Sequence, residues 1–148
     1  MTTSATTTTK GAWLTRRARP LLAAYALVLL VVLFSPTSTV QSSLVNDLVR
    51  GLQLVLPDRL ITFSRAEVAM NAVIIAPLSF LGWLAFARLR WQDWVAYGFL
   101  GATTVELLQG LLLPDRQGSF SDVVANTLGA LVGAALARIL FRSTGRDQ

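Results

Sequence analysis

Four long apolar stretches, separated by segments that hold most of the charged residues, constrain this chain more than any other feature. The last three cover residues 68–87, 94–113 and 121–141. Each matches the about 20 residues that a helix needs to cross the hydrocarbon core of a bilayer. The first, residues 21–34, reaches that length only if it continues through residue 40. The sequence therefore predicts an all-α, polytopic membrane protein with four transmembrane helices.

The residue types that are missing exclude several kinds of site. Charged residues make up 14% of the chain, about half their share in soluble proteins. Cysteine and histidine are both absent, which excludes disulfides, thiol nucleophiles, histidine metal sites and Ser-His triads. We therefore predict no catalytic residue, no metal and no cofactor. The net charge of +5 does not indicate nucleic-acid binding, because the basic residues cluster beside the apolar stretches.

A Thr- and Ser-rich start gives way to basic residues before the first apolar stretch. Such a polar segment has little to bury, so residues 1–19 are expected to be a disordered, basic cytoplasmic tail. A charged start before a short apolar core also resembles a signal peptide, but no A-x-A-type cleavage site follows, which favours an uncleaved first helix. The membrane domain then covers residues 20–141, and residues 142–148 form a cytoplasmic tail.

The longest polar connection, residues 41–65, has its own pattern. Apolar residues recur in it at every fourth position, at Val40, Leu44, Leu48, Leu52 and Leu56. This spacing predicts an amphipathic helix in the membrane interface, between the first and second transmembrane helices, that ends at Pro57.

Lysine and arginine are distributed unevenly between the two sides of the predicted bundle. With four spans, nine lie on the side of the termini, at Lys10, Arg16, Arg17, Arg19, Arg88, Arg90, Arg138, Arg142 and Arg146. Four lie on the other side, at Arg50, Arg59, Arg65 and Arg116. Because loops rich in lysine and arginine stay in the cytoplasm, we predict a plasma-membrane protein with both termini cytoplasmic.

Six polar residues interrupt or join the last three stretches. We call this set the polar cluster: Asn71, Glu106, Gln109, Arg116, Asp122 and Asn126. Ionisable groups are costly in a bilayer, so a cluster of them is a functional-site hypothesis. Glu106 and Gln109 share a helix face, as do Asp122 and Asn126. The topology places all six at the outer ends of three helices, where we expect an outward-facing polar pocket.

The chemistry of the polar cluster leaves several interpretations open. Arg116 could bridge Glu106 and Asp122, with the amides satisfying the remaining hydrogen bonds. The same contacts could instead only fasten the two helices, and Asp122 could simply cap the last helix. Two carboxylates could perform acid–base work, but no activated nucleophile accompanies them.

Small residues recur every four positions on the last predicted helix. We call these the small-residue ridge: Ala125, Gly129, Gly133 and Ala137. Small residues at this spacing let another helix approach closely within a membrane. The small-residue ridge is therefore predicted to be a helix-packing face.

These residues together resemble a known family. The pattern Glu106-x-x-Gln109, Arg116, Asp122-x-x-x-Asn126-x-x-Gly129-x-x-x-Gly133, preceded by Asn71 and Pro77, is similar to that of VanZ-like membrane proteins. The resemblance covers about residues 71–133. It implies a small bacterial inner-membrane protein linked to the cell envelope. The family's namesake confers resistance to the lipoglycopeptide teicoplanin.

Four functions follow as hypotheses. The first is a non-enzymatic envelope protein, embedded in the lipid bilayer, whose polar cluster binds a lipid-linked precursor or glycopeptide-like ligand and lowers the access of an antibiotic to its target. The second is a proton- or solute-coupled transporter that uses Glu106, which would require a homo-oligomer. The third is a membrane enzyme acting on a lipid headgroup, and the fourth is an assembly factor. The first is the hypothesis we carry forward.

Overall fold

The computed structural model describes residues 5–33, 43, 46–47, 49–51, 53–54, 62–86, 88–112 and 119–141. Its four long helices are α1 (Ala5–Leu33), α2 (Phe63–Ala85), α3 (Trp91–Leu112) and α4 (Phe120–Phe141). None of the described residues lies in a β-strand, which confirms the prediction of an all-α fold.

Three of these helices are long and apolar enough to cross a membrane. They are Ser64–Ala85 within α2, the whole of α3 and the whole of α4. Their bounds lie close to those of the second, third and fourth predicted spans. The described part of α1 does not meet the same criterion, since Arg16, Arg17 and Arg19 belong to the same helix as its apolar half. The first span therefore stays a prediction.

The structure and the sequence-based prediction differ at the start of the chain. Helix α1 begins at Ala5, inside the tail for which the composition predicts disorder, and continues through Pro20. Alanine and arginine, which directly precede Pro20, are both good helix formers and favour a helix just before the apolar stretch.

The connection between α1 and α2 is described only in part. Residues 43, 46, 47, 49–51 and 53 are helical. The apolar positions on which the interfacial helix was predicted, and its end at Pro57, lie outside the described residues. The interfacial helix therefore stays a prediction.

Helices α2 and α4 run parallel and make the closest contact of the bundle. A Cβ atom added to Gly129 would lie 2.9 Å from the carbonyl carbon of Ala72, and one added to Gly133 would lie 2.7 Å from that of Ala76. Only glycine lets the two backbones come this near, because any side chain at these positions would overlap the opposite helix. Ser79, which is buried, continues the face of α2 that carries the two alanines.

Helix α3 runs antiparallel to α4 and also touches α2. Gly98 faces Ala130 of α4, and Gly82 of α2 faces the indole ring of Trp94. The indole packs against Phe86 and Tyr97 as well, with ring centroids 6.0 Å and 5.9 Å away. A glycine thus meets a larger side chain at two contacts of α3, one with each neighbouring helix.

Helix α1 packs antiparallel to α2. The hydroxyl group of Tyr25 donates a hydrogen bond to the Ile74 carbonyl oxygen at 2.7 Å. Closer to the other end, Arg19 Nε donates to the Ala85 carbonyl oxygen at 3.2 Å. Ala85 is the last residue of α2, and the carbonyls of a last helical turn have no partner within the helix. Arg19 therefore satisfies one of them.

The two ends of the bundle differ in character. We call the end where α3 finishes and α4 starts the hairpin end, and the other the opposite end. The opposite end holds a hydrophobic core of Ala18, Trp83, Leu84, Ala85 and Ala137. The carboxylates of Glu106 and Asp122 and the buried amides of Gln109 and Asn126 lie towards the hairpin end.

Candidate functional site

The start of α4 is capped by Ser119. Its carbonyl oxygen accepts hydrogen bonds from the backbone amides of Asp122 and Val123, at 3.1 Å and 3.3 Å. Ser119 is therefore the residue before the first helical turn, and its hydroxyl group is hydrogen-bonded to that of Ser121. Asp122 lies inside the first turn and not at the cap position. A negative charge there is favourable, because the N-terminus of a helix carries a partial positive charge.

Glu106 reaches across the hairpin to the same helix start. The backbone amide of Ser119 donates a hydrogen bond to Glu106 Oε2 at 2.8 Å. Amides at a helix N-terminus have no partner within the helix, so this carboxylate satisfies one of them and adds a second negative charge beside the dipole. Glu106 thereby joins α3 to α4. The contact is half-buried, so water competes for it only in part.

Two amide side chains are more buried than the carboxylates. Gln109 of α3 is 5% exposed, and Asn126 of α4 is 8% exposed. Both occur in helices whose other buried residues are almost all small or apolar. Burying a polar amide is unfavourable unless it forms hydrogen bonds, so each amide restricts what can lie beside it.

The remaining two members of the polar cluster are Asn71 and Arg116. Asn71 is half-buried on α2 and directly precedes Ala72, the residue that contacts Gly129. Asn71 is thus at about the level of Asn126. Arg116 lies outside the described residues, so its proposed bridge between the two carboxylates stays a prediction.

The small-residue ridge is buried along its whole length. Ala125 and Ala137 are 1% and 0% exposed, and Gly129 and Gly133 are the two residues that meet the backbone of α2. The helix that fits against the ridge is therefore α2. Asn126 follows Ala125 directly, which places its amide beside this contact.

A cavity of about 220 Å³ lies between the helices. Its wall includes Leu29 of α1, Ile75 of α2, Gly101, Ala102 and Val105 of α3, and Asn126 of α4. Val105 precedes Glu106, and Asn126 lies one turn below Asp122. The cavity therefore begins directly beneath the carboxylates of the hairpin end.

The part of the chain that the structure describes contains no group of three or more histidine, cysteine, aspartate or glutamate side chains that could hold a metal ion. Two acidic side chains of α3 and α4, Glu106 and Asp122, lie towards the hairpin end. Their roles at the start of α4 are those of hydrogen-bond acceptors and negative charges.

A model of one protein family, described as VanZ/LLP1, matches residues 21–141. The chain belongs to the VanZ/LLP1 family. The match includes α2, α3, α4 and most of the apolar half of α1. It confirms the resemblance drawn from the polar cluster and the small-residue ridge. No curated protein and no solved structure matches the chain.

In this VanZ/LLP1 protein, two parts of the site that sequence reasoning missed do have a signal in the sequence. The first is Ser119, whose position three residues before Asp122 resembles the spacing of a capping box. The second is the partner face of the small-residue ridge, Ala72 and Ala76, which share its four-residue spacing. The spacing of Ser119 and Asp122 and that of Ala72 and Ala76 can both be seen in the sequence. Neither spacing shows which other helix the residues contact.

Proposed function

We propose that this VanZ/LLP1 protein is an integral membrane protein of the bacterial cell envelope that binds the polar headgroup of a lipid-linked ligand. The polar cluster is the binding site, and the hairpin end faces outwards. By binding this ligand and keeping it away from a glycopeptide, the protein would protect the cell against teicoplanin.

The observation that supports this most is the burial of Gln109 and Asn126 within apolar helices. A helical hairpin does not need such groups for stability, since polar contacts between membrane helices are worth only about 0.6 kcal/mol on average. Polar residues kept inside a membrane domain are more often explained by function. Asn126 lies one turn below Asp122, and Gln109 lies one turn nearer to the hairpin turn than Glu106. Together with the two carboxylates, these amides provide both acceptors and donors for a headgroup.

The proposed topology has four spans, with α1 as the first and the predicted interfacial helix after it. Both termini are cytoplasmic in this arrangement. It is supported by the basic residues of the opposite end. The Arg19 guanidinium lies 5.7 Å from the Phe86 ring centre, and that of Arg138 lies 5.8 Å from Trp91. Arginine beside aromatic rings is typical of a membrane interface, and arginine-rich ends face the cytoplasm.

Within the site, each group has a chemical role that its type allows. The carboxylates of Glu106 and Asp122 accept hydrogen bonds from hydroxyl or amino groups of the headgroup. Arg116 pairs with its anionic group, because a guanidinium binds phosphate or carboxylate through two parallel hydrogen bonds. The backbone amide of Ser119, which donates a hydrogen bond to Glu106, holds that carboxylate in place.

The experiment is the susceptibility of a glycopeptide-sensitive host that expresses the protein. Wild type, Glu106→Ala and Arg116→Ala are compared against teicoplanin and vancomycin at equal membrane levels. Thr104→Ala is the matched control on α3, because Thr104 is exposed and its hydroxyl donates only to Leu100 of its own helix.

We expect wild type and Thr104→Ala to protect against teicoplanin and both cluster variants to lose protection. Direct binding is measured on purified protein as the rise in melting temperature on adding lipids that differ only in headgroup, since a ligand that binds the folded state stabilises it. The absence of protection from every version, together with identical melting in all lipids, would contradict the proposal.

A further inference from the structure

The cavity beneath the carboxylates has walls suited to a hydrocarbon chain. All but one of the side chains named above are apolar, and Gly101 and Ala102 leave the wall of α3 almost without side-chain bulk. Apolar cavities of about 150 Å³ already bind a molecule the size of benzene. A volume of about 220 Å³ therefore has room for several methylene groups in a row.

Access to the cavity is from the lipid side. Leu30 of α1 and Tyr97 of α3 line it and are 51% and 50% exposed, so neither helix closes it completely. In a bilayer, the groups against these residues are lipid chains. A chain can then enter between α1 and α3 without leaving the hydrocarbon region.

Besides the half-exposed Tyr97, the wall has one side chain with a polar group, that of Asn126. This side chain is 8% exposed and borders the cavity. Among the described residues, no hydrogen bond to the Asn126 amide is found, whereas Ser121 and Thr127 of the same helix each form one. A buried amide without a hydrogen bond is costly, so the cavity is suited to an occupant with a hydrogen-bonding group at this point.

The depth of Asn126 indicates which group that is. At about 1.5 Å per residue, Asn126 lies about 9 Å beyond the start of α4. Asn126 lies four residues, about 6 Å, beyond Asp122, so a lipid whose headgroup lies at the carboxylates would bring the groups that join its headgroup to its chains to this level. In a glycerolipid, those groups include the ester carbonyls.

We propose that the cavity binds one ester-linked acyl chain of a glycerolipid, and that the Asn126 amide donates a hydrogen bond to its ester carbonyl oxygen. The inference rests on the proposed function for the position of the headgroup, which would lie at Glu106 and Asp122. It adds the chemical class of the ligand, an acyl ester, and a second subsite for its chain. A prenyl phosphate has no carbonyl group and would leave the amide unpaired.

The test uses the full-length protein in vesicles of phosphatidylethanolamine and phosphatidylglycerol. A phosphatidylglycerol with a diazirine in one acyl chain is the probe, and labelled residues are mapped by mass spectrometry after illumination. We expect the label on residues 98–105 of α3 to exceed that on Leu136 and Ile139 of α4, two exposed apolar residues outside the cavity wall. Equal labelling of the two sets would overturn the proposal.

Gly101→Leu tests the cavity directly. A Cβ atom at Gly101 meets nothing within 4 Å, so the backbone at this position has room for the start of a leucine side chain. We expect several-fold less label on the cavity residues. Gly51→Leu is the control, since Gly51 also has nothing within 4 Å and does not line the cavity. Unchanged labelling in Gly101→Leu would overturn the proposal, whatever Asn126 variants do.

The role of Asn126 is tested with an ether-linked form of the same probe, which lacks the carbonyl group. Wild type is expected to prefer the ester by about threefold, which corresponds to about 0.6 kcal/mol. Asn126→Leu is expected to remove this preference while the cavity is still labelled. Equal labelling by both probes in wild type would overturn the role of the ester.

A comparison of headgroups separates this inference from the proposed function. Wild type and Glu106→Ala are labelled with the phosphatidylglycerol probe and with a phosphatidylcholine probe carrying the same chain. If both probes label the cavity of wild type equally, headgroup binding is contradicted and the acyl subsite is still supported. A headgroup dependence without enrichment in the cavity would support the polar cluster and overturn the acyl subsite.

Discussion

Glu106 of α3 accepts a hydrogen bond from the backbone amide of Ser119 at 2.8 Å, so a side chain of one helix caps the next. The two residues lie on either side of the hairpin turn. The cap therefore fixes where α4 begins relative to α3, and it places the carboxylate directly above the cavity. One contact links the local structure of α4 to the geometry of the candidate site.

Replacement of Glu106 by alanine should loosen the start of α4. The Ser119 amide loses its acceptor, and losing a cap of this kind costs about 1 kcal/mol. We expect faster hydrogen exchange at Ser119 and a lower melting temperature. Glu106→Gln keeps an oxygen acceptor and should preserve most of the protection. Equal exchange rates in wild type and Glu106→Ala would show that the contact is not formed in the membrane.

Leucine at Gly133 should destabilise the bundle, because its side chain would overlap the backbone of α2 at Ala76. Overpacking costs about 1–3 kcal/mol, and a clash with backbone cannot be relieved by a rotamer change. The yield of folded protein and its melting temperature in detergent measure the effect. Gly51→Leu, made where an added Cβ meets nothing within 4 Å, should melt like wild type. Normal melting of Gly133→Leu would contradict the close contact of α2 and α4.

Tyr25→Phe should weaken the docking of α1 on α2. The change removes the hydroxyl group that donates to the Ile74 carbonyl oxygen and leaves the ring in place. A hydrogen bond of this kind contributes about 1 kcal/mol. Denaturant titration in mixed micelles measures the loss, with Tyr97→Phe as the control because Tyr97 is half exposed. A larger loss from Tyr97→Phe than from Tyr25→Phe would argue against this docking contact.

The proposed topology can be tested with single cysteines, since the chain has none of its own. Ser121 at the hairpin end and Gln92 at the opposite end are both exposed. In intact cells, a membrane-impermeant maleimide should react with Ser121→Cys and spare Gln92→Cys until the cells are lysed. The reverse pattern would place both termini outside.

The sequence was sufficient for the three apolar helices because their length and hydropathy are set by the bilayer. The start of α2 was predicted at Val68 and lies at Phe63. Apolarity marks only the part of a helix inside the membrane, whereas the true start is set by a cap. Thr62 provides it, because its hydroxyl oxygen accepts a hydrogen bond from the Arg65 amide at 3.4 Å.

Which helices meet could not be predicted from the sequence. The small-residue ridge predicts that something packs closely at Gly129 and Gly133, but small side chains have no directional chemistry to identify the partner. Helix α2 is the partner because Ala72 lies opposite Gly129 and Ala76 lies opposite Gly133. This alignment is set only when the helices pack together. The contact of Glu106 with a backbone amide was missed for a similar reason, since every residue but proline has such an amide.

The parallel pairing of α2 and α4 also sets an order of events during biogenesis. The two helices are separated in the chain by α3, so their contact can form only after α4 has been synthesised and inserted. Until then, the alanine face of α2 must lie against lipid or a chaperone. A chain truncated before Gly129 would lack the closest helix contact of the bundle. The alanine face of α2 would then stay uncovered, as in a protein that has not finished folding.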